Sequence, residues 1–262
     1  MNPIPAKWRI LSQMSKKSWI RIGCTVLAAI AFVVFAVMNR PKEFIKVTVV
    51  PGMRKEEIGA VLEKDMHWST AEENEFMEAS SSPDYSEGVY FPDTYLIPAK
   101  ELPAAVANRM ISDFEEKFTP YEEAALDQDV KWTVVLTIAS IIQREAAGPG
   151  DMPLVSGILW NRLNTNMRLD IDSTVQYARG DSAKGWWAPI TPADLAIESP
   201  YNTYLHNGLP PHPIDSPDLD AIKAALNPAS TTCLYYIHDT DGIIHCSDTF
   251  AGQKANTQKY LQ

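Results

Sequence analysis

Apolar residues form one long uncharged run near the start of the chain and several periodic stretches after it. From Ile22 to Met38 there are 17 residues without a charge, a helical length of about 25 Å. With Trp19 and Ile20 added and Arg21 snorkelling, the run approaches the roughly 20 residues of a bilayer-spanning helix. The pattern therefore predicts a basic tail over 1–18 and a transmembrane helix over 19–39, with Trp19 as its interfacial aromatic. Phe44 to Val50 alternates weakly, is rich in Val and stops at Pro51-Gly52, which predicts a strand. Ile58, Val61 and Leu62 then share one face of a helix over 54–64, and Ala71 to Ala79 forms a second helix that ends at Ser80-Ser81-Ser82-Pro83. Further on, helices are predicted over Pro103–Phe118, Val130–Ala147, Pro153–Asn164 and Ser216–Leu226, with a short one capped by Asp172. A hairpin from Leu234 to Cys246, turning at Asp239–Gly242, precedes a C-terminal helix opened by Asp248. The resulting class is α+β: a transmembrane helix, a small strand–helix domain over 44–86, and a mostly helical domain with a β-hairpin over 87–262.

Charge sharpens this division. Residues 1–40 hold six Lys and Arg and no acid, while the whole chain carries a net charge of -10, which leaves the remaining 222 residues at -16. An acidic body argues against nucleic-acid binding, which draws on a basic surface to release counterions. The basic head fits a positive-inside anchor, with the N-terminus cytoplasmic and the body outside. A cleaved signal peptide is the rival; the apolar run is long for one, and Ala36-Val37-Met38 is a poor small-x-small site. Cys24 reads as a small hydrophobe within the run. Cys233 and Cys246 flank the hairpin, where a disulfide and two free thiols are both compatible with the pattern. The five His are scattered without metal-ligand spacing, and no phosphate-cradling Gly loop or nucleophile elbow occurs. No metal or cofactor is expected.

One carboxylate stands out. The apolar stripe Val134, Val135, Ile138, Ile141, Ile142 continues onto Glu145, just before Gly148-Pro149-Gly150 ends the helix. A Glu on a buried face needs a reason. The negative end of the helix dipole and desolvation both disfavour its ionised form, which suits a proton donor. The alternative is a Glu paired to an Arg at the core edge, and Arg162 on the next helix is a candidate for that pairing or for holding substrate. The segment Glu87–Tyr95 sets aromatic rings beside Asp93, a composition fitting either sugar stacking or ordinary packing. The stretch Ser199-Pro200-Tyr201-Asn202-Thr203-Tyr204 to Gly208-Leu209-Pro210-Pro211 is a rigid loop rich in hydrogen-bonding groups, suited to a polyhydroxyl ligand.

Four ordered motifs resemble the endolytic murein transglycosylase family (MltG/YceG-like): Glu87–Tyr95, Ala139–Glu145, Trp160–Leu163 through Met167–Asp172, and Ser199–Tyr204 to Gly208–Pro211. Pro51-Gly52-Met53-Arg54 resembles the start of that family's small domain, so 44–86 is expected to be a LysM-like remnant. The resemblance implies a lytic transglycosylase that cleaves the β-1,4 bond between N-acetylmuramic acid and N-acetylglucosamine and leaves 1,6-anhydro ends. It places the catalytic acid/base on Glu145. It assigns substrate binding to Asn161, Arg162, Asp172, Tyr201, Asn202, Thr203, Tyr204 and Asp93. Gln143 stands where the family usually has a second Glu; residues two apart do not share a helix face, so the chemistry is expected to be spared. The implied partners are peptidoglycan glycan strands and membrane-bound glycan polymerases of the penicillin-binding type. A hydrolase directing water from Asp172 and an inactive glycan-binding scaffold are the competing readings.

Overall fold

The computed structural model describes residues 16–38, 43–79, 87–180, 183 and 185–261. The basic tail up to residue 15, the juncture at 39–42 and the break expected at 80–83 lie outside the described residues. The chain divides into two units, 1–43 and 44–262. In the first, helix α1 (Lys16–Met38) contains the apolar run, and Val26, Leu27, Ile30 and Phe32 on it are exposed. Among the described residues no helix is long and apolar enough to cross a membrane.

The second unit opens with β1 (Phe44–Thr48), α2 (Lys55–Met66) and α3 (Thr70–Glu78). Ser69 caps α3 through a reciprocal capping box with Glu72. Strand β1 pairs antiparallel with β2 (Thr94–Pro98), in register Val47↔Tyr95. The first strand of the segment 44–86 is thus completed by a strand from 87–262, and the two segments share one compact unit. Pro92 precedes β2 and Pro98 closes it, so neither removes a ladder donor from its interior.

Helix α4 (Pro103–Asp127) runs nine residues past the predicted end at Phe118 and through Pro120. An interior Pro costs about 3 kcal/mol. The apolar stripe continues beyond it, with Phe118 stacked on Phe114 at 4.9 Å, Trp132 edge-on to Phe118 at 6.0 Å, and Ala125 buried. Burying side chains of that size at about 1.5–3 kcal/mol each outweighs the break.

Helix α5 (Trp132–Glu145) is the centre of the unit: every residue from Val135 to Ile142 is buried. Around it pack α4, α6 (Met152–Asn164), α7 (Asp172–Arg179) and α8 (Leu219–Leu226). Gly157 lets α6 approach the chain at 229 closely; a Cβ there would lie 2.3 Å from the Ala229 carbonyl oxygen. The expected caps shift by one or two residues. Ile171 holds the N-cap position of α7, with Asp172 as its first residue, and Asp218, not Ser216, caps α8 by accepting from Asp220 and Ala221 N–H.

The hairpin β3 (Tyr235–His238) and β4 (Ile244–Ser247) pairs Tyr236 with Cys246, whereas a turn centred on Thr240-Asp241, the middle of the expected Asp239–Gly242, would face Cys246 with Tyr235. The loop holds five residues and is organised by Asp239, whose carboxylate accepts from Asp241 and Ile243 N–H. An odd loop moves the register by one. Cys233 and Cys246 form a disulfide, with Cα atoms 5.8 Å apart, so the bridged alternative holds. Helix α9 (Phe250–Tyr260), capped by Thr249, lies on both strands.

Buried Glu87 ties the start of α2 to α7. Its carboxyl accepts from Lys55 N–H at 3.0 Å and from the Tyr177 hydroxyl at 3.2 Å. The Arg54 guanidinium lies 4.2 Å over the Tyr177 ring and pairs with Glu56. Burial, reinforced by the Glu56 charge and opposed by Arg54, pushes Glu87 up to about 8. Folded Glu87 therefore keeps its proton where the unfolded chain has lost it, and its contribution to stability declines as pH rises from the ordinary carboxyl range through about 8. Glu87→Gln should flatten that decline, and should gain on the wild type as pH rises through that range. Urea denaturation from pH 5 to pH 9 checks the slope.

Candidate active site

Glu145 is the last residue of α5. Ala146 turns extended (φ −76°, ψ 141°), so the chain leaves the helix immediately after the carboxylate. Asp151 accepts from Ala147 and Gly148 N–H and contacts His238 Nε2 at 2.6 Å, binding this exit to strand β3. Glu145 is half-buried, and both of its oxygens are held. Ser173 in the first turn of α7 donates to Oε1 at 2.7 Å, and the Tyr236 hydroxyl on β3 donates to Oε2 at 2.7 Å. Burial, then the nearby Glu145 charge, raises Tyr236 well above the ordinary phenol range. Tyr236 therefore remains a neutral donor, and either hydroxyl can accept in turn when Glu145 carries the proton.

The carboxylate faces a cavity of about 250 Å³. Ile158, Leu159, Leu169 and Ile171 form its apolar wall, and Arg162, Asp170, Asp172, Tyr236 and Gln253 its polar one. Arg162 lines the cavity without an ion pair to Glu145. Its Nε donates to the Leu234 carbonyl at 2.6 Å and its Nη1 to the Leu169 carbonyl. Asp172 is exposed at the rim and accepts from the Tyr204 hydroxyl at 2.6 Å; burial and this bond raise the Tyr204 phenol.

The other residues expected to bind substrate lie elsewhere. Asn161 donates to the Thr231 and Cys233 carbonyls and lines a separate depression with Trp160 and Ala229. Asn202 is fully buried; its amide donates to the Leu195 and Ile197 carbonyls and its oxygen accepts from Tyr204 N–H. Thr203 is buried against Thr174 and accepts from Ile171 N–H. Tyr201 packs on Tyr177, with ring centroids 4.6 Å apart. Asp93 pairs with Lys117 and lines a separate depression with Arg109 and Asp113. Hydrogen-bonding residues in a loop have the same composition whether they serve a ligand or their own backbone, and here the backbone takes most of them.

Ser173, Tyr236 and Gln253 were not among the expected site residues. Ser173 follows Asp172 directly in the motif, so its place in the first turn of a helix was the available signal. Tyr236 and Gln253 belong to the hairpin and last helix, and nothing local distinguishes them. Among the described residues, no group of three or more His, Cys, Asp or Glu is placed to hold a metal ion.

Two substitutions separate these roles. Tyr236→Phe keeps the ring and removes the donor to Glu145. Turnover should fall by about 10-fold or more, since a hydrogen bond to a charged group contributes about 1.5–3 kcal/mol. Steady-state kinetics on the glycan substrate that the family resemblance implies measures this. Asn202→Ala strands two carbonyls and one N–H, so it should cost about 2–4 kcal/mol of stability, read by chemical denaturation. That outcome differs from the near-neutral effect a surface ligand contact would give.

The YceG-like family matches residues 28–259. Proteins named endolytic murein transglycosylase are similar in sequence. That of Streptococcus pneumoniae D39 is 31% identical over 177 residues, covering 67% of this chain and 32% of that protein. That of Bacillus subtilis 168 is 31% identical over 176 residues, covering 67% and 48%. The chain thus aligns over a third to a half of the length of these relatives. A YceG-like protein from Listeria monocytogenes, known from a 2.6 Å crystal structure, superposes with a TM-score of 0.74 at 25% identity, over 80% of this chain and 75% of that one. The four motifs and these matches agree, and the chain belongs to the YceG-like family.

Proposed function

We propose that this protein is an endolytic lytic transglycosylase acting on peptidoglycan, with Glu145 as its single acid/base. The observation that carries the reading is the carboxylate at the cavity wall with both oxygens fixed by Ser173 and Tyr236. Glu145 in its protonated form gives its proton to the glycosidic oxygen between N-acetylmuramic acid and N-acetylglucosamine as that C–O bond breaks. The carboxylate then takes the proton of the muramoyl C6 hydroxyl as that oxygen bonds to C1. The product carries a 1,6-anhydro end, no water is consumed, and Glu145 is restored. A glycosidase that activates water uses two carboxylates; an internal hydroxyl nucleophile removes the need for the second. The reaction needs no cofactor. The names of the relatives support the substrate class.

In this reading the run Ile22–Met38 anchors the chain in the cell membrane, with the N-terminus cytoplasmic and residues 44–262 outside. Such an anchor confines the site to strands emerging close to the bilayer, so the enzyme ends glycan elongation beside a membrane-bound polymerase. The support is the uncharged run, its basic flank and the exposed apolar residues of α1.

Asp172 lines the same cavity, which makes hydrolysis the second reading. Digestion of purified sacculi followed by mass spectrometry decides between them. Anhydro-muramoyl ends are expected, with Glu145→Gln slower by a factor on the order of 10² or more. Reducing muramic acid ends would establish hydrolysis, and wild-type rates from Glu145→Gln would remove Glu145 from the chemistry.

A further inference from the structure

Strands β3 and β4 and helix α9 are the lightly held end of the second unit. Of their residues only Tyr236 and Ile244 pack against the main core, and both stay partly exposed. A two-stranded hairpin without a core of its own is marginal in water, so the groups that pin it decide how firmly it sits. The pins to the rest of the unit fall on one side. Asn161 donates to the Thr231 and Cys233 carbonyls, Arg162 to the Leu234 carbonyl and Tyr236 to Glu145, and His238 contacts Asp151. All of them hold β3 or the stretch that enters it. Among the described residues, the hydrogen bonds of β4 and α9 return to the hairpin: Leu234 N–H donates to the Ser247 carbonyl, Gln253 to the Tyr236 carbonyl and Asn256 to the Cys246 carbonyl. The disulfide crosses from one side to the other. Cys233, whose carbonyl Asn161 holds, is bonded to Cys246, and Cys246 stands directly opposite Tyr236 in the ladder. Both cysteines are partly exposed.

Resting on the reading of Glu145 as the acid/base, we infer that the Cys233–Cys246 bridge is a positioning element of the active site. The enzyme is fully active when the bridge is closed and is slowed by a dithiol reductant. A thiolate of the dithiol attacks one bridge sulfur, the S–S bond breaks and a mixed disulfide forms, which the second thiol of the reductant resolves. The bridge gains two electrons and two protons, and the dithiol leaves as a disulfide. Released from Cys233, β4 and α9 open locally, as elements with few buried contacts do. The pairing opposite Tyr236 and the Gln253 bond to its carbonyl go with them, and the Tyr236 hydroxyl no longer stays on Glu145 Oε2. Helix α5, buried from Val135 to Ile142, keeps its packing.

Turnover of purified sacculi by the full chain tests this when measured oxidised, after dithiothreitol, and after reoxidation, in the wild type and in Tyr236→Phe. Reduction should lower wild-type kcat about tenfold, the effect of losing one hydrogen bond to a charged group, and reoxidation should restore it. Tyr236→Phe already lacks that bond, so reduction should cost it less than about twofold. Hydrogen exchange should rise across 234–260 on reduction while the amides of α5 stay protected. The double variant Cys233→Ser, Cys246→Ser should match the reduced wild type with no reagent present. An unchanged wild-type kcat on reduction overturns the inference. An equal loss in Tyr236→Phe, or exposure of the α5 amides, overturns it too, since either makes the bridge a support of the whole fold. Failure of the Glu145 reading is separate: wild-type rates from Glu145→Gln would leave the exchange difference across 234–260 standing.

Discussion

The burial of α5 is the constraint from which the site follows. Eight consecutive residues, Val135 to Ile142, are removed from solvent. A helix can be enclosed this way because its backbone groups pair internally and its buried hydroxyls are paired too: Thr137 donates to the Thr133 carbonyl, and Ser140 donates to the Thr137 carbonyl and accepts from Ile214 N–H. Its last turn has no such completeness. A functional carboxylate on this helix can meet a cavity only where the helix emerges, and Glu145 sits there. The exit must then be finished with polar partners from other elements. Asp151, Ser173 and Tyr236 supply them, from the start of α6, from α7 and from β3.

Much of the polar content near the cavity serves to place those partners. Asn161 and Arg162 on α6 hold the carbonyls of residues 231, 233 and 234, the stretch that leads into β3. The disulfide fastens the same stretch to β4. Thr203 does the equivalent work at the first turn of α7, accepting from Ile171 N–H and bonding the Thr174 hydroxyl, while Asn202 ties the loop that carries it to the carbonyls of Leu195 and Ile197. Ser173 and Tyr236 are therefore set by packed, bonded frames on either side of Glu145, the preorganisation an acid/base site requires.

Periodicity exposed α5 because a buried helix writes its stripe into adjacent turns, and that stripe led directly to Glu145. It did not expose β2, whose partner β1 lies some fifty residues earlier and whose pairing leaves no local trace. The end of α4 was misplaced because Pro120 is a strong local signal, while the stacking of Phe114, Phe118 and Trp132 that overrides it is tertiary. Motif composition located the right loops but not the targets of their hydrogen bonds: Asn202 turned inward, and Asp172 turned to the cavity. The hairpin register depended on how Asp239 folds the loop, which fixes whether Tyr235 or Tyr236 faces Cys246.

Helix α9 forms part of the cavity through Gln253 yet contributes no buried residue to the core. Its inner side is constrained all the same: a Cβ at Gly252 would meet the Ser247 side chain, and Gln253 bonds the carbonyl of Tyr236, the residue that holds Glu145. The helix thus acts as a brace on the hairpin, and its loss would loosen the carboxylate's partner before it loosened the core.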